Sequence, residues 1–147
     1  MLLKPCFQIV SDDAPVATND GGATAEDTPV NLDLVSNDTD VDGDTLVVSE
    51  INGTPISVGS PVSISNGTVS LLADGTVTFT PATDYNGPAS FNYTVSDGNG
   101  GTDTATVNLT VSPVNDDPVA TADTATTGED TPVAIDVVTN DSDPEGD

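Results

Sequence analysis

The sequence predicts an all-β protein built as a sandwich of two antiparallel sheets. Three observations support this prediction. Hydrophobic residues fall into short alternating runs, turn signals rich in Gly, Asn and Asp separate these runs, and no segment sustains a 3.6-residue hydrophobic period. Roughly seven or eight short strands in about 100 residues are typical of an antiparallel sandwich with immunoglobulin-like architecture.

The predicted strands can be followed in chain order. Val30, Leu32 and Leu34 alternate with polar residues, and a β-branched run covers residues 45–51. Because successive side chains of a strand point to opposite faces, each run can bury one face. The later runs have these inward residues: Val62 and Ile64; Val69 and Leu71; Val77 and Phe79; Phe91, Tyr93 and Val95; Val107, Leu109 and Val111.

Two tight turns are predicted between these runs. Asn66-Gly67 separates two β runs and predicts a hairpin with a type I′ turn, which needs positive φ at both central residues. Asp74-Gly75 predicts a second tight turn before Val77.

The charge of the chain is extreme. It has 25 Asp and Glu residues against one Lys or Arg, no His, and a net charge of −24 over 147 residues. Neighbouring cations therefore cannot neutralise the carboxylates. Three alternatives remain, namely wide spacing in water, screening by a high-salt environment, and bound metal cations. High charge also favours disorder, but the hydrophobic 35% is concentrated in alternating runs and favours a folded β protein.

The same charge excludes some partners. Nucleic acid phosphates and anionic membrane surfaces would be repelled, so we predict no nucleic acid partner and no direct membrane insertion. A single cysteine, Cys6, excludes an internal disulfide and a multi-cysteine metal site. The opening segment MLLKPCFQIV is short and interrupted by Pro5, and it resembles neither a transmembrane helix nor a convincing signal peptide.

The chain contains an internal repeat. Pro15, Glu26 and Asn37 recur as Pro118, Glu129 and Asn140, each 103 residues later and without a gap. We therefore predict an N-terminal segment outside the repeat (1–11), a complete sandwich (12–114), and a linker with the first third of a second repeat (115–147). The apolar pattern of the partial copy, Val133, Ile135 and Val137, predicts a further strand.

The stretch NDTDVDGD at residues 37–44 predicts a calcium loop. Its carboxylates at alternate positions can converge on one ion, and the glycine allows the sharp turn. Hard oxygen ligands suit Ca²⁺ better than zinc or copper. An EF-hand is excluded because Ser49 stands at the twelfth position and no helices flank the loop. The alternative is a solvated acidic turn. The predicted ligands are Asp38, Asp40, Asp42 and Asp44, with Asp141 and Asp143 in the second copy.

Two further acidic groups are predicted metal ligands. The glycine-rich turn SDGNGGTD supplies Asp97, Asn99 and Asp103, with a plain hairpin turn as the alternative. The junction between repeats supplies Asn115, Asp116 and Asp117, and Asp13 is the equivalent residue before the first repeat. Glu26 and Asp27, repeated as Glu129 and Asp130, are possible further junction ligands, with ordinary exposed loop acids as the alternative.

These motifs in this order, EDTPV, NDTDVDGD, YTVSDGNGGTDTATVNLTV and VNDDP, resemble the bacterial cadherin-like tandem repeats of large surface adhesins, which are related to VCBS and RTX-adhesin repeats. The resemblance covers residues 12–114 fully and 115–147 as a partial copy. It implies a cadherin-like sandwich with Greek-key connections, secretion, and calcium that stiffens a long stalk. The junction also resembles the calcium linker of animal cadherins, although Asp117 replaces the usual asparagine.

We therefore expect a non-catalytic, extracellular, Ca²⁺-binding structural or adhesive module that rigidifies a surface stalk or fibre, with neighbouring repeats or identical subunits as head-to-tail partners. One alternative is a filament in which the partial repeat adds a strand to the next subunit. Another is a carbohydrate-binding accessory module with a surface glycan ligand, for which Tyr85 and Tyr93 are the candidate aromatic platforms. An enzyme is disfavoured because the chain has no His and no serine with a basic partner.

Overall fold

The first unit of the chain holds all nine β-strands that occur in residues 11–144, the part described by the computed structural model. The chain divides into two units, Met1–Pro113 and Val114–Asp147. The strands are β1 (Asp20–Ala25), β2 (Val30–Leu32), β3 (Val47–Ile51), β4 (Thr54–Pro55), β5 (Val62–Ile64), β6 (Gly67–Leu71), β7 (Val77–Pro81), β8 (Gly87–Ser96) and β9 (Thr102–Ser112). Cys6 and the N-terminal segment up to residue 10 lie outside the described residues.

Two sheets form the sandwich. One has the order β1-β9-β8-β3-β4 and the other has the order β2-β7-β6-β5. All pairs are antiparallel except β1 with β9, which run parallel over six residue pairs. The predicted fold class, an all-β immunoglobulin-like sandwich, is confirmed.

The core lies between the two sheets, as the alternating pattern requires. Tyr93 and Val107 on the long strands β8 and β9 are fully buried, and so are Val69 and Phe79 on the facing sheet. The rings of Phe79 and Phe91 stack with centroids 6.4 Å apart, an arrangement that contributes about 0.5–1.5 kcal/mol beyond burial. The predicted strand faces therefore match the buried faces.

The predicted type I′ turn at Asn66-Gly67 is wrong. Ile64 pairs with Gly67, so the hairpin loop is Ser65-Asn66 and Gly67 is the first residue of β6. A side chain at Gly67 would overlap the carbonyl oxygen of Thr80 on β7, so the glycine serves close strand packing. The type I′ geometry occurs instead at Asn52-Gly53, where φ is 48° and 74° and the turn joins β3 to β4.

The second unit repeats the local structure of the first. Val119 pairs with Ser142 as Val16 pairs with Thr39, 103 residues earlier. The N–H of Thr121 donates to Asp141 Oδ1 at 2.7 Å, matching the bond from Thr18 to Asp38.

The strand predicted from Val133, Ile135 and Val137 is not formed within the described part of the second unit. These side chains are 46%, 50% and 57% exposed. In the first unit the equivalent strand β2 pairs with β7, whereas residues 114–144 contain no strand with which Val133, Ile135 and Val137 could pair. An alternating pattern without a pairing partner does not produce a strand.

Candidate metal site

Three acidic segments of the first unit meet at one end of the sandwich. The loop 37–44 precedes β3 and the loop 97–101 follows β8. Because β3 and β8 are antiparallel neighbours and Val47 pairs with Ser96, these loops leave the sheet side by side. The entering segment, residues 11–19 before β1, joins them, since Val16 forms a bridge with Thr39 in the first loop.

A cluster of carboxylates results from this arrangement. Oxygens of Asp12, Asp42 and Asp44 all lie within 4.8 Å of one another. Asn99 from the second loop donates its amide N–H to Asp44 Oδ2 at 2.9 Å. Partial desolvation and the nearby charges of Asp97, Asp44 and Asp42 raise the pKa of Asp12 above its ordinary value. The negative charge of the cluster is therefore not balanced by the groups around it.

Asp97 lies beside this cluster and is the most buried of the predicted ligands of the two loops. It is only 6% exposed. Its Oδ1 accepts the backbone N–H groups of Asn99, Gly100 and Gly101 at 2.7, 3.0 and 3.0 Å. Its Oδ2 is buried and has no hydrogen-bond partner. A buried carboxylate oxygen without a donor is costly, and a bound cation would remove that cost.

The two carboxylate oxygens of Asp40 also differ in their hydrogen bonding, as those of Asp97 do. Its Oδ1 accepts the N–H groups of Asp42 and Asp44 at 2.9 and 3.2 Å, while its Oδ2 is buried without a partner. In both loops, backbone donors fix one carboxylate oxygen and leave the other available. All the atoms that could ligate a metal here are oxygens, and oxygen ligands suit a hard divalent cation such as Ca²⁺.

Other carboxylates at this end hold the entering segment in place. The N–H of Asp13 donates to Asp42 Oδ2 at 2.7 Å. The N–H of Ala17 donates to Asp103 Oδ2 at 2.8 Å, and that of Thr18 to Asp38 Oδ1 at 2.7 Å. Asp38 and Asp103, both predicted as ligands, thus have backbone partners here, and their metal role stays a prediction.

The sequence prediction did not include Asp12, whose carboxylate lies in the cluster. It selected Asp13 from the Asp12-Asp13 pair, but the backbone of Asp13 contacts the site, whereas the carboxylate of Asp12 enters the cluster. The pair itself was the available signal. Which of two adjacent acids turns inward depends on how the segment docks, and sequence spacing does not encode this.

Tyr93 links the core to the acidic end. Its hydroxyl lies 2.8 Å from Thr18 O, 3.1 Å from Leu34 O and 3.0 Å from Asp38 Oδ1. A hydroxyl has one proton to donate, so these acceptor oxygens share one donor. Burial, together with the carboxylates of Asp20 and Asp38, raises the pKa of Tyr93 above its ordinary value. The hydroxyl therefore stays protonated and donates.

Asp20 faces this hydroxyl and gives a testable pH dependence. Desolvation, together with the charge of Asp38, raises the pKa of Asp20 above its usual 3.8 despite a bond with Tyr93. Ionised Asp20 thus destabilises the folded state at pH values above its folded pKa. This loss of stability disappears as the pH falls to the pKa of Asp20 in the unfolded chain. We expect Asp20→Asn to melt at a higher temperature than the wild type at pH 7 in chelator, and the difference to vanish below about pH 4.

Asp74→Asn is the matched control, because it also removes one negative charge. Bonds from Thr76 lower the pKa of Asp74, so ionised Asp74 stabilises the fold and that stability is lost as pH falls through its folded pKa. We expect Asp74→Asn to lower the melting temperature at pH 7. Equal shifts in both variants would contradict the assignment.

The remaining predicted ligands lie elsewhere. Glu26 follows β1 and accepts the amide N–H of Asn86 at 3.2 Å, and Asp27 accepts the N–H of Asp84 at 3.3 Å. Both are at the opposite end of the sandwich from the cluster, because the end of β1 lies beside the end of β9. Asn115, Asp116, Asp117, Glu129, Asp141 and Asp143 belong to the second unit. The junction site stays a prediction.

The aromatic platforms suggested for a glycan are not both accessible. Tyr93 is fully buried in the core and cannot stack on a sugar, so its proposed role was wrong. Tyr85 is half-buried, and its hydroxyl donates to the carbonyl of Pro88. Carbohydrate binding stays a prediction, without Tyr93.

Comparison with known proteins identifies the family. The sequence profile of the bacterial Ig domain matches residues 12–110 and again residues 115–147. The chain belongs to the bacterial Ig domain family. Its two-sheet sandwich is the fold expected of a bacterial Ig domain, and the second match covers the partial repeat.

Solved structures resemble this bacterial Ig domain protein only remotely. One is a nucleoside hydrolase-related hypothetical protein from Saccharophagus degradans associated with carbohydrate metabolism, at 16% identity and a TM-score of 0.46 over 71% of this chain and 26% of that one. Another is a SusE-like, surface-located polysaccharide-binding protein from the heparin utilisation locus of Bacteroides thetaiotaomicron, at 16% identity and 0.41 over 67% and 15%. The chain therefore spans about a quarter or less of these proteins.

A search of curated proteins gives no match. Within residues 11–144, no helix has both the length and the apolar character needed to cross a bilayer.

Proposed function

We propose that this bacterial Ig domain protein is a non-catalytic, extracellular, calcium-binding structural or adhesive module of the cadherin-like repeat type. One observation carries the proposal. The carboxylate of Asp97 is buried, its Oδ2 has no donor, and it acts electrostatically on Asp12 in a cluster with Asp42 and Asp44. The chain offers almost no cation of its own to this site, since it has one Lys or Arg in total.

The ligand chemistry favours calcium. The candidate donors are the carboxylates of Asp12, Asp40, Asp42, Asp44 and Asp97, and the side-chain amide oxygen of Asn99 is a further possible ligand. Six to eight oxygen ligands on irregular loops suit Ca²⁺, whereas Mg²⁺ demands stricter octahedral geometry and zinc prefers nitrogen and sulfur ligands. Calcium, when bound, would supply positive charge and crosslinking rather than a reaction.

The mechanism is electrostatic. Like carboxylates about 4 Å apart repel by about 1 kcal/mol even in water, and by more where water is excluded. A divalent ion converts this repulsion into attraction and ties together the entering segment and both loops. A repeat whose entering segment is fixed to its own sandwich transmits bending less easily, and that property would stiffen a stalk of such repeats.

Calorimetric titration with calcium tests the proposal. We expect the 147-residue chain to bind with a dissociation constant on the order of 10⁻⁴–10⁻³ M, as extracellular modules do. The pair Asp42→Asn/Asp44→Asn should abolish the heat. The control pair Asp74→Asn/Asp136→Asn removes the same charge from two turns outside the cluster and should keep it. Equal binding by both pairs would show that general charge, not this site, attracts the ion.

Strand addition between copies is a second candidate function, favoured by the apolar side chains of the second unit. Val133, Ile135, Val137 and Val138 are about half exposed or more, whereas Leu34, the counterpart of Val137, is 1% exposed in the first unit. Pairing with a sheet edge of another copy would cover them, and a head-to-tail contact of this kind builds an open filament when its rotation does not close into a ring.

Sedimentation tests this second candidate. We expect the sedimentation coefficient of the 147-residue chain to rise with protein concentration. The variant Ile135→Asp, which places a charge among the exposed apolar side chains of the second unit, should remain monomeric. A wild-type chain that stays monomeric at all concentrations would remove the candidate.

A further inference from the structure

The structure assigns Gly101 as a positioning residue of the proposed metal site: its lack of a side chain allows the Asp97 carboxylate and the entering segment to meet at one point. This inference rests on the proposed function, because it concerns the same site. Gly101 itself offers no ligand, and it would act through Asp97.

Position 101 requires glycine because there is no room for a Cβ atom, and not because of an unusual backbone conformation. A Cβ atom at Gly101 would overlap Oδ2 of Asp97, and it would lie 2.8 Å from Cα of Ala14 and 3.1 Å from Cγ of Asp97. Gly101 is absent from the residues with positive φ in this loop, which are Gly98 and Gly100. An alanine could therefore adopt the backbone conformation of Gly101, but there is no space for its Cβ atom.

The neighbouring atoms have little freedom to move away. Three N–H groups, including that of Gly101, hold Oδ1 of Asp97. The neighbouring atom of Ala14 is its backbone Cα, and Ala14 stands between the buried Pro15 and Asp13, whose N–H donates to Asp42. The deepest overlap is with Oδ2 of Asp97, so a side chain at position 101 must first displace the Asp97 carboxylate.

Displacement of the Asp97 carboxylate would affect the proposed metal site directly. The oxygen that would be pushed, Asp97 Oδ2, is the buried one without a donor. Changes to residues that orient metal ligands typically weaken metal affinity by roughly 10–100-fold. We expect Gly101→Ala to weaken calcium binding by about this factor although every ligand is retained.

A double-mutant cycle on the 147-residue chain tests this, with calcium affinity measured by calorimetry for the wild type, Gly101→Ala, Asp97→Ala and the double variant. If Gly101 acts through Asp97, the double variant should bind like Asp97→Ala alone. A further loss in the double variant, equal to that of Gly101→Ala by itself, would overturn the inference, and so would wild-type affinity in Gly101→Ala.

Gly98→Ala is the matched control in the same loop. A Cβ atom there meets nothing within 4 Å, although φ is +82°, so this change strains the loop without touching Asp97. It should weaken binding less than Gly101→Ala, and an equal loss would contradict the inference.

Folding of Gly101→Ala is checked by circular dichroism. If Gly101→Ala fails to fold while Asp97→Ala folds, the double variant Asp97→Ala/Gly101→Ala should also fold, because the overlapping carboxylate is gone. A double variant that fails although Asp97→Ala folds would overturn the inference, and an Asp97→Ala that fails is replaced in this comparison by Asp97→Asn. The two proposals remain separable. A wild type without calcium heat removes both, whereas a wild type that binds and a Gly101→Ala that binds equally removes only this one.

Discussion

Calcium should raise the melting temperature of the chain by roughly 6–22 °C at about 10 mM, relative to the same protein in chelator. A dissociation constant on the order of 10⁻⁴–10⁻³ M gives about 1.4–2.7 kcal/mol of stabilisation at this concentration, and each kcal/mol shifts the melting temperature of a domain of about 100 residues by roughly 4–8 °C. The physical reason is that, under the proposal, the ion would bind the assembled cluster of Asp12, Asp42 and Asp44 and not the unfolded chain.

Differential scanning calorimetry with matched ionic strength measures this shift. Sodium chloride at equal ionic strength is the control, because it screens the general charge without coordinating. Asp97→Asn should lose most of the calcium shift while it keeps the sodium effect. An identical rise in calcium and in sodium would contradict a specific site.

Tyr93→Phe should destabilise the first unit by about 1.5–3 kcal/mol, the range for losing hydrogen bonds to charged and buried acceptors. The ring would still fill the core, but Leu34 O, Thr18 O and Asp38 would lose their shared donor. Because Thr18 lies in the entering segment and Asp38 in the first acidic loop, the loss should also loosen the attachment of that segment.

Urea denaturation in chelator measures the effect, and Tyr85→Phe is the matched control. Tyr85 donates a single bond to Pro88 at a half-exposed position, so its loss should cost only about 0.5–1.5 kcal/mol. Equal stability of Tyr93→Phe and the wild type would mean that the acceptors find other donors.

Much of the fold follows from local pattern. Val107, Leu109 and Val111 alternate with polar residues, and that alternation alone fixes which face of β9 is buried. The turn at Asn66-Gly67 was misassigned because the pair fits two different demands, a type I′ turn or close packing. Only the approach of Thr80 from a strand 13 residues later decides between them.

The candidate site was predictable in its parts but not in its assembly. The acids of residues 37–44 and 97–103 are evident in the sequence, and both loops reach the same end of the sandwich. The participation of Asp12, and the role of Asp38 as an acceptor for Tyr93 and Thr18, depend on long-range docking of the entering segment. Such contacts leave no periodic signal in the sequence.

The parallel pairing of β1 with β9 has a mechanical consequence. The chain enters this ladder at Asp20 and leaves it at Ser112, at opposite ends of six consecutive residue pairs. A tensile force on the two ends of the first unit would therefore run along both strands and load these hydrogen bonds together in shear, rather than peeling them apart one by one.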